Sequence, residues 1–173
     1  MNNWYVITGG PCSGKTTTLN FLAKKGYRVT DEMARVYIDQ EIKKGRKLDQ
    51  IRTDEGKFQK HIVKMKIALE KTLPRKQAIF LDRGIPDSVA YYKLLGVGID
   101  SFLKKALVNC SYKKVFVLEL LDYQKDYART ESPEQARQIE NLLISSYLSL
   151  GMEVIKVPVM SATNRVKFIL RLI

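Results

Sequence analysis

Eight residues near the N-terminus have the types and the spacing of a phosphate-binding loop. The stretch GGPCSGKT, at 9–16, matches the pattern G-x-x-x-x-G-K-[ST] in full and lies between an apolar run of strand length and a helix-period segment. Glycines at 9 and 14 let the backbone approach phosphate oxygens and turn successive N–H groups toward them. The alternative is a glycine turn beside a surface lysine. The placement between a strand and a helix favours the phosphate loop.

The side chains at the end of this loop supply further chemistry. Lys15 can reach the β- and γ-phosphates, the Thr16 hydroxyl can bind Mg²⁺, and Thr17 is a candidate for an α-phosphate contact. The helix that begins there adds free N–H groups and the positive end of its dipole. We therefore predict Mg²⁺ and ATP as cofactors; GTP is not favoured, because the sequence contains no N-K-x-D. The predicted phosphate-binding residues are Gly9, Gly10, Pro11, Cys12, Ser13, Gly14, Lys15, Thr16 and Thr17.

A second motif, AIFLDRGIPDS, places an acidic residue directly after an apolar strand. In open α/β sheets ligands bind beyond the carboxyl ends of the strands, so Asp82 is expected beside the phosphates. There it could hold magnesium through water or take a proton from an acceptor hydroxyl. A helix cap or a salt bridge to Arg83 is the alternative interpretation of Asp82.

Strand-length apolar runs alternate with helix-period segments, which predicts an α/β protein with a parallel sheet covered by helices. The predicted strands are 4–8, 26–30, 77–82, 114–120 and 152–159. The predicted helices follow the glycine loop up to Gly26, run from an Asp31 N-cap to Gly45, cover 54–73 before Pro74, run from Pro133 to Gly151, and end the chain over 161–173.

Composition narrows the class of protein. The 173 residues suit one domain over 1–173, and the net charge of +12 favours anionic partners. Two cysteines without a CxxC and a single histidine, His61, exclude a disulfide framework and the usual zinc spacings. The N-terminus has no basic leader and no apolar run of membrane-spanning length, so we predict a cytoplasmic protein without a transmembrane segment.

Five stretches together resemble the small "AAA domain" family of single-domain P-loop nucleotide-binding proteins: ITGGPCSGKTT, DEMAR, FLDRGIPDS, YART and SYLSLGMEVIKVPV. That family is similar to the kinase domain of the NAD regulators that phosphorylate nicotinamide riboside, and more distantly to nucleoside and nucleoside monophosphate kinases. The resemblance spans nearly the whole chain. It implies a three-layer P-loop NTPase fold, with a five-stranded parallel sheet in the order 2-3-1-4-5 and helices on both faces.

The resemblance also implies roles for residues outside the loop. It implies a short lid that carries arginine between the fourth strand and the next helix, where Arg129 and Arg137 are the candidates. Arginine suits a lid because its fixed donors can stabilise charge on a transferring phosphoryl group. The implied acceptor-binding residues are Glu32, Arg35, Arg83 and Asp87. The alternatives are a solvated arginine for each lid candidate, an ion pair within the helix for Glu32 and Arg35, and a helix N-terminal charge for Asp87.

Two functions are consistent with these residues. The first is a magnesium-dependent kinase that transfers the γ-phosphoryl of ATP to a small, hydroxyl-bearing, nucleoside-like acceptor, with Lys15, Asp82 and Arg129 as catalytic residues. The second is a nucleotide-dependent hydrolase or switch, using ATP or GTP, that contacts a protein, lipid or RNA partner. Its candidate surface is a basic ridge opposite the apolar stripe of Phe58, Ile62, Met65 and Leu69, formed by Lys57, Lys60, Lys64, Lys71 and Arg75. Scattered aromatic residues make nucleic acid improbable as the main partner.

Overall fold

The computed structural model describes residues 2–121 and 132–173, and only the backbone of Pro133. Its strands are β1 (Trp4–Thr8), β2 (Arg28–Val29), β3 (Ile79–Asp82), β4 (Lys114–Leu118) and β5 (Val154–Val157). Its helices are α1 (Lys15–Lys24), α2 (Met33–Lys43), α3 (Leu48–Ile51), α4 (Glu55–Thr72), α5 (Asp87–Leu94), α6 (Ser101–Asn109), α7 (Pro133–Leu148) and α8 (Ala162–Leu170).

The strands form one parallel sheet in the order β2-β3-β1-β4-β5. This order confirms the predicted P-loop NTPase fold. The central strand β1 is buried along its whole length. Tyr5 and Ile7 pack in a cluster that contains side chains of α1 and α8, whereas Trp4 and Val6 pack in a second cluster that contains Tyr147 of α7. Both faces of the sheet are therefore covered, which is why WYVIT is a continuous apolar run rather than an alternating one.

The predicted strands match the observed ones in number and place, but four of them are shorter than predicted. The second strand has two residues, Arg28–Val29, instead of the predicted five. Three helices, α3, α5 and α6, were not predicted. The helix α6 is hard to predict because its apolar positions do not coincide with its buried positions. Val108 is 84% exposed, while Leu103 is fully buried. The four-residue helix α3 is too short to show a helical period.

Several helices begin at a residue whose side chain caps the helix. Asp54, Ser132 and Ser161 each accept a hydrogen bond from a backbone N–H of the helix that follows. The predicted N-cap Asp31 is wrong, because Glu32 occupies that position in α2. The Glu32 carboxylate contacts Arg83 at the sheet edge, so it serves the tertiary structure rather than the helix. Across the described ranges, no helix combines the length and the apolarity needed to cross a bilayer.

Candidate nucleotide and acceptor site

The two sequence motifs meet at the carboxyl edge of the sheet. Strands β1 and β3 are neighbours, with Ile7 of β1 paired with Asp82 at the end of β3. The glycine loop leaves β1 two residues after Ile7 and leads into α1 at Lys15. The pairing therefore brings the loop and the DRG stretch to one edge, as expected for parallel strands.

Strained backbone angles shape the glycine loop. Gly9 has a φ of 143°, Gly14 has a φ of 76°, and Cys12 between them has a φ of 62°. A Cβ on Gly9 would lie 2.5 Å from the Leu118 carbonyl oxygen, so only glycine fits beside β4. Left-handed residues within a short loop let consecutive N–H groups converge on an anion. This is the geometry that the motif predicts.

Lys15 is held inside the loop by neutral groups. Its Nζ donates to the carbonyl oxygens of Gly9 (3.1 Å) and Gly10 (2.9 Å) and to Ser13 Oγ (3.3 Å). Burial, assisted by the charge of Arg83, lowers the pKa of Lys15 to about 8. A desolvated ammonium with carbonyl partners gains electrostatic stabilisation from an anion in the loop. The neighbouring hydroxyl residues Thr16 and Thr17 are exposed and line the same cleft.

Asp82 is buried with one oxygen unused. Its backbone N–H donates to Thr30 Oγ1 at 3.1 Å, but within the described ranges its Oδ1 has no hydrogen-bond partner. Burial, reinforced by the charge of Glu32, raises the pKa of Asp82 to about 7. An orphaned buried carboxylate oxygen fits a proton or a cation as its missing partner.

The residues present fit a magnesium ion. Mg²⁺ takes hard oxygen ligands, keeps several waters, and relies on one or two protein groups together with substrate phosphates. The exposed Thr16 hydroxyl and the buried Asp82 carboxylate are oxygens of this kind. In the part of the chain that the structure describes, no group of three or more His, Cys, Asp or Glu could hold a metal ion.

Arg83 is the centre of the predicted acceptor-binding residues, which are called the acceptor side of the site below. It has a φ of 64°, is 7% exposed, and donates to Glu32 Oε1 at 3.1 Å and to Asp87 Oδ1 at 3.0 Å. Although burial opposes its charge, Tyr91, Glu32 and Asp87 raise the pKa of Arg83 well above its usual value. A left-handed angle at a buried arginine is backbone strain that the surrounding contacts must stabilise. The two carboxylates provide that stabilisation.

Asp87 is completely buried and is surrounded by donors. Thr8 Oγ1 donates to it at 2.6 Å, the Gly84 N–H donates at 3.1 Å, and the Tyr147 hydroxyl makes a third, short hydrogen bond. Burial alone would raise the pKa of Asp87, but Lys66, Arg83 and these hydroxyls outweigh it and hold the pKa below its usual value. These contacts connect Asp87 to Arg83 and to Thr8 at the end of β1.

Glu32 and Arg35 both reach the cleft. Arg35 Nε lies 3.9 Å from Glu32 Oε2, a longer contact than the one between Glu32 and Arg83. Burial would raise the pKa of Glu32, but Arg83 and Lys15 outweigh it and lower the pKa. The ion pair within the helix therefore exists alongside a stronger link from Glu32 to the DRG stretch.

One cavity of about 130 Å³ joins the loop to the acceptor side. Lys15, Thr16, Glu32, Arg35 and Arg83 all line it. Sequence reasoning missed a further set of lining residues: Arg52, Phe58, Gln59, Ile62 and Lys66. The sequence predicts Phe58 and Ile62 only as part of the apolar stripe of a helix. In the structure both residues line the cleft.

Among these missed residues, Lys66 is the one that the sequence could have indicated. It stands on α4 four residues after Ile62, among apolar positions rather than with the basic ridge. It is 5% exposed, and its Nζ donates to the Gly84 carbonyl at 2.9 Å and lies 3.4 Å from Ser88 Oγ. A lysine on the buried stripe of a helix needs a partner, and here the partner is the DRG stretch.

Comparison with known proteins agrees with this geometry. The family model described as "AAA domain" matches residues 4–165. The chain belongs to the AAA domain family. Among proteins of curated function, no sequence matches it.

Solved structures show what this AAA domain is similar to in fold. A NadR protein in complex with NAD and AMP-PNP has a TM-score of 0.72 at 16% identity, covering 97% of this chain and 48% of its own. Deoxyadenosine kinase from M. mycoides with bound dCTP has a TM-score of 0.65 at 15% identity, covering 97% of both chains. Thymidylate kinase from Ehrlichia chaffeensis has a TM-score of 0.66 at 15% identity, covering 98% of this chain and 97% of its own.

The chain spans about half the length of the NadR proteins that it matches. At these identities the likeness concerns the fold, which is that of P-loop nucleoside and nucleotide kinases. Family membership and fold together make this AAA domain a P-loop protein with a kinase-like architecture, as the sequence resemblance implied.

The remaining predictions concern the lid arginines, the basic ridge and His61. Arg129 falls within 122–131, outside the described residues. Arg137 is exposed on α7 and does not line the cavity. On the basic ridge, Lys57 Nζ pairs with Asp54 at 3.0 Å and Lys60 Nζ pairs with Asp100 at 3.1 Å. The ring of His61 stacks on Tyr37 with centroids 4.2 Å apart, which gives it a packing role.

Proposed function

We propose that this AAA domain is a magnesium-dependent kinase that transfers the γ-phosphoryl of ATP to a hydroxyl of a small, nucleoside-like acceptor. One observation carries the proposal. The glycine loop opens onto the same cleft as Glu32 and Arg83, which are joined by a hydrogen bond. A hydrolase needs only the loop that holds the phosphates, whereas a kinase also needs residues that bind the acceptor. We further propose that residues 1–173 act as one P-loop domain in the cytoplasm.

On the nucleotide side, residues 9–17 hold the triphosphate. Converging N–H groups of the loop and the N-terminus of α1 bind the phosphate oxygens, and Lys15 exchanges its carbonyl partners for the β- and γ-phosphates. When bound through Thr16 and, across water, Asp82, Mg²⁺ would supply charge neutralisation on the β- and γ-oxygens. These interactions position the γ-phosphorus and stabilise charge as it is transferred.

Asp82 has two candidate roles, proton acceptor and water-mediated magnesium partner. A pKa of about 7 and an unused Oδ1 favour the first, since a base near neutral pH is efficient in proton transfer. In that step the acceptor oxygen bonds to the γ-phosphorus, the bond to the β–γ bridging oxygen breaks, and the hydroxyl proton moves to Asp82. The products are ADP and the phosphorylated acceptor. Arg129 is proposed to stabilise the transferring group from the lid.

The acceptor side favours a neutral, flat acceptor. Arg83 is already neutralised by Glu32 and Asp87, and Arg52 is paired with Glu55 at 2.6 Å. Two aromatic residues, Phe58 and Tyr91, and the carboxamide residue Gln59 line the cleft. Nucleosides and ribosides have this chemistry, a hydroxyl-bearing sugar and a planar ring. The NadR and deoxyadenosine kinase structures hold NR and nucleotides respectively, which makes such compounds the first to test.

The test is a phosphorylation screen of nucleosides, ribosides and cofactor precursors with ATP or GTP and Mg²⁺, read by mass spectrometry. The expected result is one acceptor that gains a phosphate and raises nucleotide consumption many-fold, with Asp82→Asn about 100-fold less efficient on it. Exposed Asp49 offers a matched control, since Asp49→Asn should phosphorylate the same acceptor at the wild-type rate.

A nucleotide-dependent switch is the second candidate, favoured by the basic ridge on α4, whose lysines are exposed along one face. Tight nucleotide binding with slow hydrolysis, unchanged by every acceptor in the panel, would replace the kinase proposal with the switch.

A further inference from the structure

A buried arginine on the last helix touches the phosphate loop from behind. Arg165 of α8 is 1% exposed and is one of the largest fully buried side chains. Its Nη1 donates a short hydrogen bond to the Ser13 carbonyl, its Nη2 donates to the Glu119 carbonyl at 2.9 Å, and its Nε donates to the Pro158 carbonyl at 3.1 Å. One guanidinium thus joins the loop to the chain segments that leave β4 and β5.

The charge of Arg165 has no carboxylate partner within salt-bridge distance among residues 2–121 and 132–173. Burial lowers the pKa of Arg165 from its usual value although the charge of Glu119 acts in the opposite direction, and the guanidinium remains protonated at neutral pH. Arg83, in contrast, has two carboxylates. A buried cation held only by carbonyl dipoles is costly unless an anion comes close.

The contact with Ser13 determines where a neighbouring N–H points. In a planar trans peptide the C=O and the following N–H point in opposite directions. Because Arg165 holds the Ser13 carbonyl on the rear side of the loop, the Gly14 N–H is turned to the opposite side, toward the phosphate cradle. Gly14 itself leaves room for this arrangement, since a Cβ there would lie 3.2 Å from Nη1. A cation bound to the carbonyl also polarises the peptide, which strengthens the N–H as a donor.

We propose that Arg165 is a positioning residue of the phosphate site, which orients and polarises the Ser13–Gly14 peptide so that the Gly14 N–H binds a phosphate oxygen. The inference rests on the triphosphate-binding half of the proposed function and is independent of the acceptor. Its ligand is the polyphosphate, not the base.

The test measures binding of inorganic tripolyphosphate, with Mg²⁺, to the full chain by isothermal titration. Arg165→Gln keeps a single neutral donor, and we expect it to bind tripolyphosphate at least about tenfold more weakly than wild type, the size of one lost charge-assisted hydrogen bond. Arg165→Lys keeps the positive charge but lacks the three guanidinium nitrogens that bind the three carbonyls. It should recover part of the lost tripolyphosphate affinity. Lys167→Gln removes the same charge from an exposed position of the same helix and should leave the affinity unchanged.

A second readout follows the peptide itself. In ¹H–¹⁵N spectra the Gly14 amide of wild type should shift strongly downfield on addition of tripolyphosphate, and this shift should shrink in Arg165→Gln and partly return in Arg165→Lys. If Arg165→Gln does not fold, Arg165→Lys decides through the same two measurements, with intermediate affinity and an intermediate Gly14 shift expected.

Equal tripolyphosphate affinities and equal Gly14 shifts in wild type and the folded Arg165 variants would overturn this inference and leave the kinase proposal intact. A wild type that binds tripolyphosphate and loses affinity in Arg165→Gln, yet phosphorylates no acceptor, would support the inference while the kinase proposal fails. A wild type that binds no polyphosphate at all would overturn both.

Discussion

The two halves of the cleft handle buried positive charge in opposite ways. On the phosphate side, Lys15 and Arg165 are held by carbonyl oxygens and a hydroxyl. On the acceptor side, Arg83 is held by Glu32 and Asp87. A cation that is hydrogen-bonded to neutral dipoles still attracts an anion, whereas a cation paired with carboxylates is largely neutralised and attracts an anion only weakly. The contrast indicates where an anionic ligand should bind and where a neutral one should.

Lys66 is an instructive intermediate. It lies on the acceptor side but donates to a carbonyl and lies near a hydroxyl, as Lys15 does. Burial lowers its pKa, while Asp87 and Glu70 act in the opposite direction. Its contact is with the DRG stretch, so it fixes the segment that carries Arg83.

Removing the loop cation should have the largest effect. Lys15→Ala should lower turnover of the nucleotide by about 10²–10³-fold, because it removes the charge that faces the β- and γ-phosphates. Steady-state kinetics with isothermal titration of ATP measure the effect. Lys24→Ala, an exposed lysine on the same helix, is the control and should behave as wild type. Equal ATP affinity and turnover in Lys15→Ala would remove the loop from the mechanism.

Removing the orphaned carboxylate should have the next largest effect. Asp82→Asn should lower kcat/KM about 100-fold if the group accepts a proton. Wild-type kcat/KM should be bell-shaped, rising near pH 7 as Asp82 ionises and falling near pH 8 as Lys15 loses its charge. Asp82→Asn should lose the acidic limb alone, and a variant that keeps that limb would assign it to another group.

The same carboxylate has a predictable effect on stability. Because the folded-state pKa of Asp82 is raised above its usual value, the folded protein binds the proton more tightly than the unfolded chain does. This contribution to the free energy of unfolding is full below about pH 4 and is lost as the pH rises through about 7. Urea titrations at pH 5 and pH 8 should therefore show a smaller pH dependence for Asp82→Asn than for wild type.

A change on the acceptor side should be moderate and selective. Glu32→Gln weakens the neutralisation of Arg83, so we expect KM for the acceptor to rise about tenfold while KM for ATP stays the same. Glu41→Gln in α2 is a matched control, because the Glu41 carboxylate is likewise paired with two cations, Lys44 and Arg46. An equal rise in both KM values for Glu32→Gln would erase the distinction between the two halves.

The basic ridge should have the smallest effect. Lys64 and Lys71 are exposed on α4, and reversing both with Lys64→Glu and Lys71→Glu should change kcat and both KM values by less than about twofold. Initial rates at physiological salt measure this. A large change in basal nucleotide hydrolysis would instead favour the switch function, with the ridge as its contact surface.

Three features could be predicted without a structure: the five strands, the glycine loop between β1 and α1, and the position of Asp82 at the end of β3. These are local signals: buried parallel strands are continuous apolar runs, and the loop needs its glycines, lysine and threonine at fixed spacing. The strand order came from the family resemblance and is confirmed by the observed order.

Tertiary structure alone decided the partners of each buried charge. Asp87 could not be told from a helix N-terminal charge until Thr8 and Tyr147, far away in sequence, were found around it. Arg165 lies within the predicted terminal helix, and its hydrogen bond to Ser13 spans 152 residues of sequence. A hydrogen bond joins two groups by distance in space, and neither periodicity nor spacing along the chain records which distant carbonyl or carboxylate a side chain meets.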